Sequence, residues 1–202
     1  MPPRVAPEAR RELIADAVID EIAEHGLRSV TLARIAARTG LAIGSIRHYF
    51  GDTFREVMRF TLGMLVQRIV RRRATPATDP VSRLVDAISL VAPTTDQERR
   101  ENSALIEYHV AARTDPELAS EIAKTSVRGT EAIRALLRDV LADKDVSEEA
   151  LRREALLLFT LIEGFSLSSS TLPAPLGESD VRAVAAMTVQ RMRDAYPPIG
   201  TG

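Results

Sequence analysis

The chain has 202 residues, enough for one ordinary domain or for a small unit of about fifty residues joined to a larger one. Hydrophobic residues at 45% and charged residues at 27% fit a packed globular protein and exclude a disordered or collagen-like chain. A formal net charge of −1 excludes nucleic-acid binding through global excess charge, so any basic surface has to be local, and the absence of cysteine excludes a disulfide framework, a thiolate nucleophile and a cysteine-ligated zinc site.

Taken in chain order, nearly every segment reads as helix. Met1 to Arg11 carries prolines, arginines and glutamate without an apolar stretch, so it does not read as a secretory signal. Pro7 and Glu8 open a first helix in which Ile14, Ala17, Val18 and Ile22 recur at helical spacing until Gly26. Thr31, a good N-cap, starts a short second helix with Leu32, Ile35 and Ala36, and Gly40 ends it. Gly40, Leu41 and Ala42 form the turn to a third helix carrying Ile46, Tyr49 and Phe50, closed by Gly51-Asp52. Two very short helices across a three-residue turn make a helix-turn-helix at 31–50.

Asp52 or Thr53 caps a long fourth helix with Phe54, Val57, Met58, Leu62, Leu65 and Ile69, ending at Arg73. The stretch Ala74 to Pro80, with two prolines and two threonines, is the best internal boundary. Further helices are expected at about Val81 to Val91, Asp96 to Arg113, Pro116 to Leu141, Ser147 to Leu167 and Ser179 to Tyr196. Asp115-Pro116-Glu117 and Ser147-Glu148-Glu149 each place a capping side chain before an acidic first turn. The strongly apolar run Ala155 to Ile162 is far shorter than the roughly twenty residues of a spanning helix, so a soluble, cytoplasmic protein without a membrane partner is expected. The chain reads as an all-α, nine-helix, two-domain protein. Residues 1–52 form the helix-turn-helix domain, 53–73 a connecting helix, 74–196 a larger helical bundle, and 197–202 a flexible tail.

From His25 to Gly51 there are four arginines, Arg28, Arg34, Arg38 and Arg47, and no acid, whereas the first helix holds six acids. Such a local sign change suits a phosphate-facing surface, because each neutralised phosphate releases counterions. If Ile46, Tyr49 and Phe50 pack inward, Gly44, Ser45, Arg47 and His48 lie on outer faces of the third helix. Gly44 permits close backbone approach, Arg47 can grip a guanine edge with two hydrogen bonds, and Ser45 can bond a base or a phosphate. Several features keep a second reading. Tyr49 either meets phosphate or completes the small core beside Phe50, and His48 either contacts DNA or is a solvated imidazole. Arg71-Arg72-Arg73 lies roughly 30 Å along the helix from Thr53 and complements its C-terminus rather than meeting DNA, while Arg4 is either a DNA-reaching arm or a loose end.

The run Thr31-Leu-Ala-Arg-Ile-Ala-Ala-Arg-Thr-Gly-Leu-Ala-Ile-Gly-Ser-Ile-Arg-His-Tyr-Phe50 resembles the DNA-binding signature of the tetracycline-repressor (TetR) family of transcriptional regulators. The likeness covers about Glu8 to Phe60. It implies that Thr31 contacts phosphate, that Gly44, Ser45 and Arg47 face the major groove, and that Tyr49 holds backbone phosphate. The expected DNA-contacting set is Thr31, Arg34, Ile43, Gly44, Ser45, Arg47, His48, Tyr49 and Thr53. Three positions depart from the pattern. Ala42 stands where the family commonly has Ser or Thr, Thr53 replaces a frequent lysine for which Arg55 can compensate, and Arg47 replaces a common aromatic, which favours a different base preference.

Residues 104–118 resemble the corresponding passage of regulators whose regulatory domain is of the betaine-inhibitor repressor type. Leu105, Tyr108, His109, Phe159, Glu163 and Ser166 are the expected lining of an effector pocket, with polar groups on otherwise apolar helices orienting an unidentified small molecule. His109 is also readable as a structural histidine and Glu163 as a partner in a charge pair. The apolar run through Phe159 and Ile162, with the stripe Val181, Val184, Ala185, Thr188 and Met192, is the expected dimer seam, and the resemblance implies a homodimer reading a palindromic operator.

Three histidines, no His-x3-His pair, no Gly-x-Ser-x-Gly turn and no glycine-rich phosphate loop leave no apparatus for catalysis, and neither a metal nor a cofactor is expected. The favoured reading is a ligand-released repressor. The rival is a helical binding or scaffolding dimer without specific DNA affinity, for which Ala42 and Thr53 are the reasons.

Overall fold

The computed structural model describes residues 6–51, 53–72, 77–172 and 176–200. The roles read for Arg4, Asp52 and Arg73, and part of the linker expected after it, lie outside the described residues. Nine α-helices are present among the described residues: α1 (Pro7–His25), α2 (Leu32–Thr39), α3 (Ile43–Phe50), α4 (Phe54–Arg71), α5 (Pro80–Ser89), α6 (Asp96–Ala112), α7 (Pro116–Val140), α8 (Glu148–Thr171) and α9 (Glu178–Ala195). A 3-10 turn, Leu27–Ser29, separates α1 from α2. Among the described residues no helix is long and apolar enough to cross a membrane.

Local chemistry sets these boundaries. Gly26, at φ 80°, ends α1 while its N–H donates to the Ile22 carbonyl at 2.8 Å. Thr31 Oγ1 accepts from the Arg34 N–H at 3.2 Å to start α2, and Gly40 at φ 68° ends it in the left-handed region. Asp79 and Ser147 cap α5 and α8 through Ser82 and Ala150 N–H groups. Before α6 a reciprocal pair forms: Thr95 Oγ1 accepts from Glu98 N–H at 3.1 Å and Glu98 Oε2 accepts from Thr95 N–H at 3.2 Å. By contrast, Ala42 precedes α3 with no side-chain cap.

The chain forms two compact units. The first comprises Met1–Arg68 with Ser103–Glu121, and the second Ile69–Asn102 with Ile122–Gly202. This differs from the expected division at 52, 73 and 74, because Ser103–Glu121 of α6 and α7 belongs with the helix-turn-helix. Tyr108 is fully buried there with its hydroxyl donating to the Met58 carbonyl at 3.0 Å, and Glu107 Oε2 accepts from the Leu27 N–H at 3.2 Å. Ile14, Val18, Ile22, Ile35, Ile46 and Leu65 complete that core.

In the second unit α9 packs chiefly on α5, with Arg182 and Asp86 paired at 2.7 Å. This corrects the expected dimer seam at Val181, Ala185 and Met192. Val181 and Ala185 are fully buried and Met192 nearly so within the unit itself, while Val184 and Thr188 are half-buried, the Thr188 hydroxyl bonding back to the Val184 carbonyl. On α8 and α9 the large apolar residues left in solvent, among the described residues, are Leu156, Leu157, Leu167 and Met187, each about half exposed. Inward and outward stripes on one helix share the same period, so spacing alone does not say which is which.

Two further expectations change. Helix α8 runs four residues past Leu167 to Thr171, because Ser166 and Ser169 are buried on its inner side. The tail expected to be loose from 197 is instead pinned as far as Ile199: Asp145 N–H donates to the Pro197 carbonyl at 2.8 Å and Ile199 N–H to the Asp143 carbonyl at 3.1 Å.

Candidate nucleic-acid interface

Helix α3 is eight residues long and held by two inward side chains, Ile46 and Phe50. That leaves Ile43, Gly44, Arg47 and His48 exposed on one side, with Ser45 and Tyr49 half-buried at its margins. No atom comes within 4 Å of a Cβ built on Gly44, so its missing side chain serves no internal packing need. Among the described residues no carboxylate pairs with Arg47 or with the exposed Arg28. Because α3 lacks a side-chain cap, its first amides remain suited to an external anion.

The arginines of α2 behave otherwise. Arg34 and Arg38 both bind Glu21, a carboxylate of α1 that is only 1% exposed, Arg38 Nε donating at 2.8 Å. Ser29 Oγ donates to the same carboxylate at 3.0 Å and His25 Nδ1 lies 3.4 Å away, while Arg38 also binds Glu24. Burial alone would raise the Glu21 carboxyl; hydrogen bonds from Arg38 and Ser29 and the charges of Arg34 and His25 outweigh it and leave it below the ordinary glutamate value. Glu21 and Glu24 of α1 thus turn to the arginines of α2, and Arg34, expected as a DNA contact, is tied within the unit although it stays nearly half exposed. Thr31 is exposed with its oxygen capping α2, and Thr53 is exposed with its carbonyl accepting from Glu56 N–H. Arg55, read as compensation for Thr53, pairs with Glu117 of α7.

At the far end of α4, Arg72 is not a simple partner of a helix terminus. Its buried guanidinium donates to Asn102 Oδ1 at 2.8 Å, Glu101 Oε2 at 3.0 Å, and the Glu98 and Leu90 carbonyls.

The expected pocket residues divide between the units. Leu105, Tyr108 and His109 belong to the first, and Phe159, Glu163 and Ser166 to the second. Tyr108 is a core residue whose hydroxyl is satisfied by Met58; burial, offset in part by Thr61, pushes the phenol well above its ordinary value. His109 and Glu163 are half-buried and each already has a partner. Phe159 lies against Gly129 of α7, where a Cβ would stand 2.6 Å from its ring, so this glycine makes room for the phenyl group. Ile162 is half-buried. The sequence reading missed Ser169, 2% exposed, whose hydroxyl has no hydrogen-bond partner among the described residues. Its place three residues after Ser166 on one helix was the available signal.

Residues 14–53 match the family described as bacterial regulatory proteins, tetR family, and residues 80–194 match the BetI-type transcriptional repressor C-terminal family. The HTH-type transcriptional regulator BetI of Paraburkholderia xenovorans (strain LB400) is 31% identical over 173 residues, covering 83% of this chain and 85% of that protein. The HTH-type transcriptional regulator PksA of Bacillus subtilis (strain 168) is 25% identical over 198 residues, covering 94% of this chain and 93% of that protein. Among solved structures, a transcriptional regulator from Rhodococcus sp. RHA1 shares the fold with a TM-score of 0.77 at 24% identity, over 92% of this chain and 97% of that one. A regulator from Saccharomonospora viridis, solved in complex with choline, shares it with a TM-score of 0.73 at 20% identity, over 91% and 96%. An acid-free exposed face on the eight-residue α3 and family matches at both ends of the chain agree: this protein belongs to the TetR family of DNA-binding transcriptional regulators, with a C-terminal domain of the BetI type.

Proposed function

We propose that the protein is a homodimeric repressor that binds a palindromic operator through α3 and is released by a small-molecule effector held in the C-terminal unit. The observation that carries the DNA half is the exposed group Gly44, Arg47 and His48 on α3, with no acid pairing Arg47 among the described residues. Arg47 is the base reader and Gly44 the point of closest approach; Thr31, Tyr49 and the α3 amides hold phosphate, and Ser45 and Ile43 flank the contact. Effector binding favours a state in which the two recognition helices no longer match half-sites about 34 Å apart.

The test is fluorescence anisotropy of the protein with duplex DNA from its own upstream region and with a scrambled duplex, across a salt series. Arg47→Ala should weaken the cognate duplex by about tenfold or more and the scrambled one far less, since a bidentate base contact contributes about 1–3 kcal/mol. Equal losses on both duplexes would reduce Arg47 to a phosphate contact.

For the effector, the polar groups Glu163, Ser166 and Ser169 on α8, with Phe159 beside them in sequence, are the favoured lining. Leu105, Tyr108 and His109 lie in the other unit, so this reading rests on α8. The choline bound by the S. viridis regulator makes a small organic cation the first probe. Ser169→Ala removes an unpaired buried hydroxyl, so the fold should be unharmed, while the effector concentration that releases DNA should rise about tenfold. An unchanged release curve would remove Ser169 from the site.

A further inference from the structure

The N-terminal end of α3 has no side-chain cap, so what fixes this short helix at its other end matters for recognition. There, Arg11 of α1 donates from Nε and Nη2 to the Tyr49 carbonyl at 3.1 and 2.9 Å. This carbonyl is among the last four of α3, which have no partner inside the helix. The same guanidinium lies 5.6 Å from the Phe50 ring centroid and 5.9 Å from that of Phe60 on α4, and the two rings meet edge to face at 5.2 Å. One side chain of α1 thus engages α3 by backbone and ring, and α4 by ring.

Arg11 is unlike a phosphate contact in its surroundings. It borders an open cleft of about 760 Å³ in which Glu8, Glu12, Glu56 and Glu121 outnumber the other arginine, Arg59, itself paired with Glu56, while His48 and Tyr49 stand at its α3 wall. Both donors used here point into the protein at Tyr49 rather than outward.

We propose that Arg11 is a positioning residue of the DNA reader, setting the angle of α3 by holding the Tyr49 carbonyl. Its effect on recognition follows from lever geometry. A helix of eight residues is about 12 Å long, so a tilt of about ten degrees about Ile46 displaces its ends by about 1 Å. That is enough to misalign the two hydrogen bonds of an Arg47 contact while leaving flexible phosphate contacts intact. The inference rests on the DNA-binding reading of α3, and the experiment separates the two.

The full-length protein would be compared with Arg11→Met, which keeps an apolar stem on the two rings but removes every donor, and with Arg11→Lys, which keeps the charge but not the fork. Anisotropy is read on cognate and scrambled duplexes across a salt series, and amide hydrogen exchange across α3 is read without DNA, with circular dichroism and melting temperature recorded alongside. The expected result for Arg11→Met is about a tenfold loss on the cognate duplex, less than about twofold on the scrambled one, an unchanged salt slope and faster exchange near Tyr49; Arg11→Lys should fall between. Equal losses on both duplexes with a salt slope reduced by about one would make Arg11 a phosphate contact and overturn the proposal. So would a lower melting temperature with the duplex preference unchanged, which marks simple support of the fold. If Arg11→Met fails to fold, Arg11→Lys carries the same comparison. A wild-type protein blind to the duplex sequence would overturn the functional reading itself and with it the recognition role, leaving the exchange data to report on the hold of Arg11 on α3 alone.

Discussion

Gly44 costs the free protein stability and meets nothing inside it. In a helix glycine is about 0.5–1 kcal/mol less stable than alanine, nearer the lower figure in the first turn where Gly44 stands, and nothing within 4 Å would obstruct a methyl group at this position. Gly44→Ala should therefore raise stability by about that amount in urea unfolding while weakening cognate DNA by at least about tenfold, since the methyl group would intrude between backbone and duplex. A gain in stability with unaltered affinity would place Gly44 outside the interface. Ser169 shows the same logic in the second unit, where a buried hydroxyl without a partner among the described residues is a cost to the protein alone. Tyr108 is the opposite case: it looked like a ligand contact as a polar tip on an apolar helix, and Met58 already satisfies it.

Between helices, the Glu21 cluster decides how much of the basic surface is available. Its carboxylate joins α1 to Arg34 and Arg38 of α2, and its depressed pKa fixes the sign of its pH dependence. The stabilisation is fully present above the unfolded glutamate value of about 4.3 and is lost as pH falls through the lower folded value. Glu21→Gln should cost about 2 kcal/mol in urea unfolding at neutral pH, with the gap to wild type narrowing at acid pH. A gap independent of pH would mean that the ionised form is not what holds α1 to α2.

The helices themselves were legible because their ends carry local signals: Thr31 and Gly40 bracket α2, and Asp115 and Ser147 announce α7 and α8. So was the outward side of α3, since Ile46 and Phe50 leave few arrangements for eight residues. The pairing of Glu21 with Arg34 was not legible, because it joins residues on different helices whose packing no local pattern specifies. Nor was the direction of the α9 stripe, since burial in one's own bundle and burial against a copy produce one periodicity.

For the whole molecule, the correction at α9 moves the proposed dimer surface to Leu156, Leu157, Leu167 and Met187. Gly164, exposed and unobstructed between them on α8, would let a second copy approach closely. Leu157→Glu combined with Met187→Glu should then yield a helical monomer in sedimentation velocity, and abolish a wild-type melting temperature that rises with protein concentration. Val181→Glu, placing a charge in the core of the unit, should instead unfold it. A dimer that survives the double substitution would place the interface elsewhere.

The reader is also not one continuous stretch of chain. Ser103–Glu121 closes it from the middle of the sequence, bringing Glu107 to the Leu27 amide and Tyr108 to the Met58 carbonyl. A chimera made by exchanging only the N-terminal third with a relative would inherit a new operator preference but keep the old Glu107 and Tyr108, mismatched to their new hosts. Recombination at a single junction therefore yields a frustrated hybrid, and a regulator rebuilt for a different promoter has to exchange two separate segments: the opening helices up to Arg68, and the helical segment Ser103–Glu121 that completes their core.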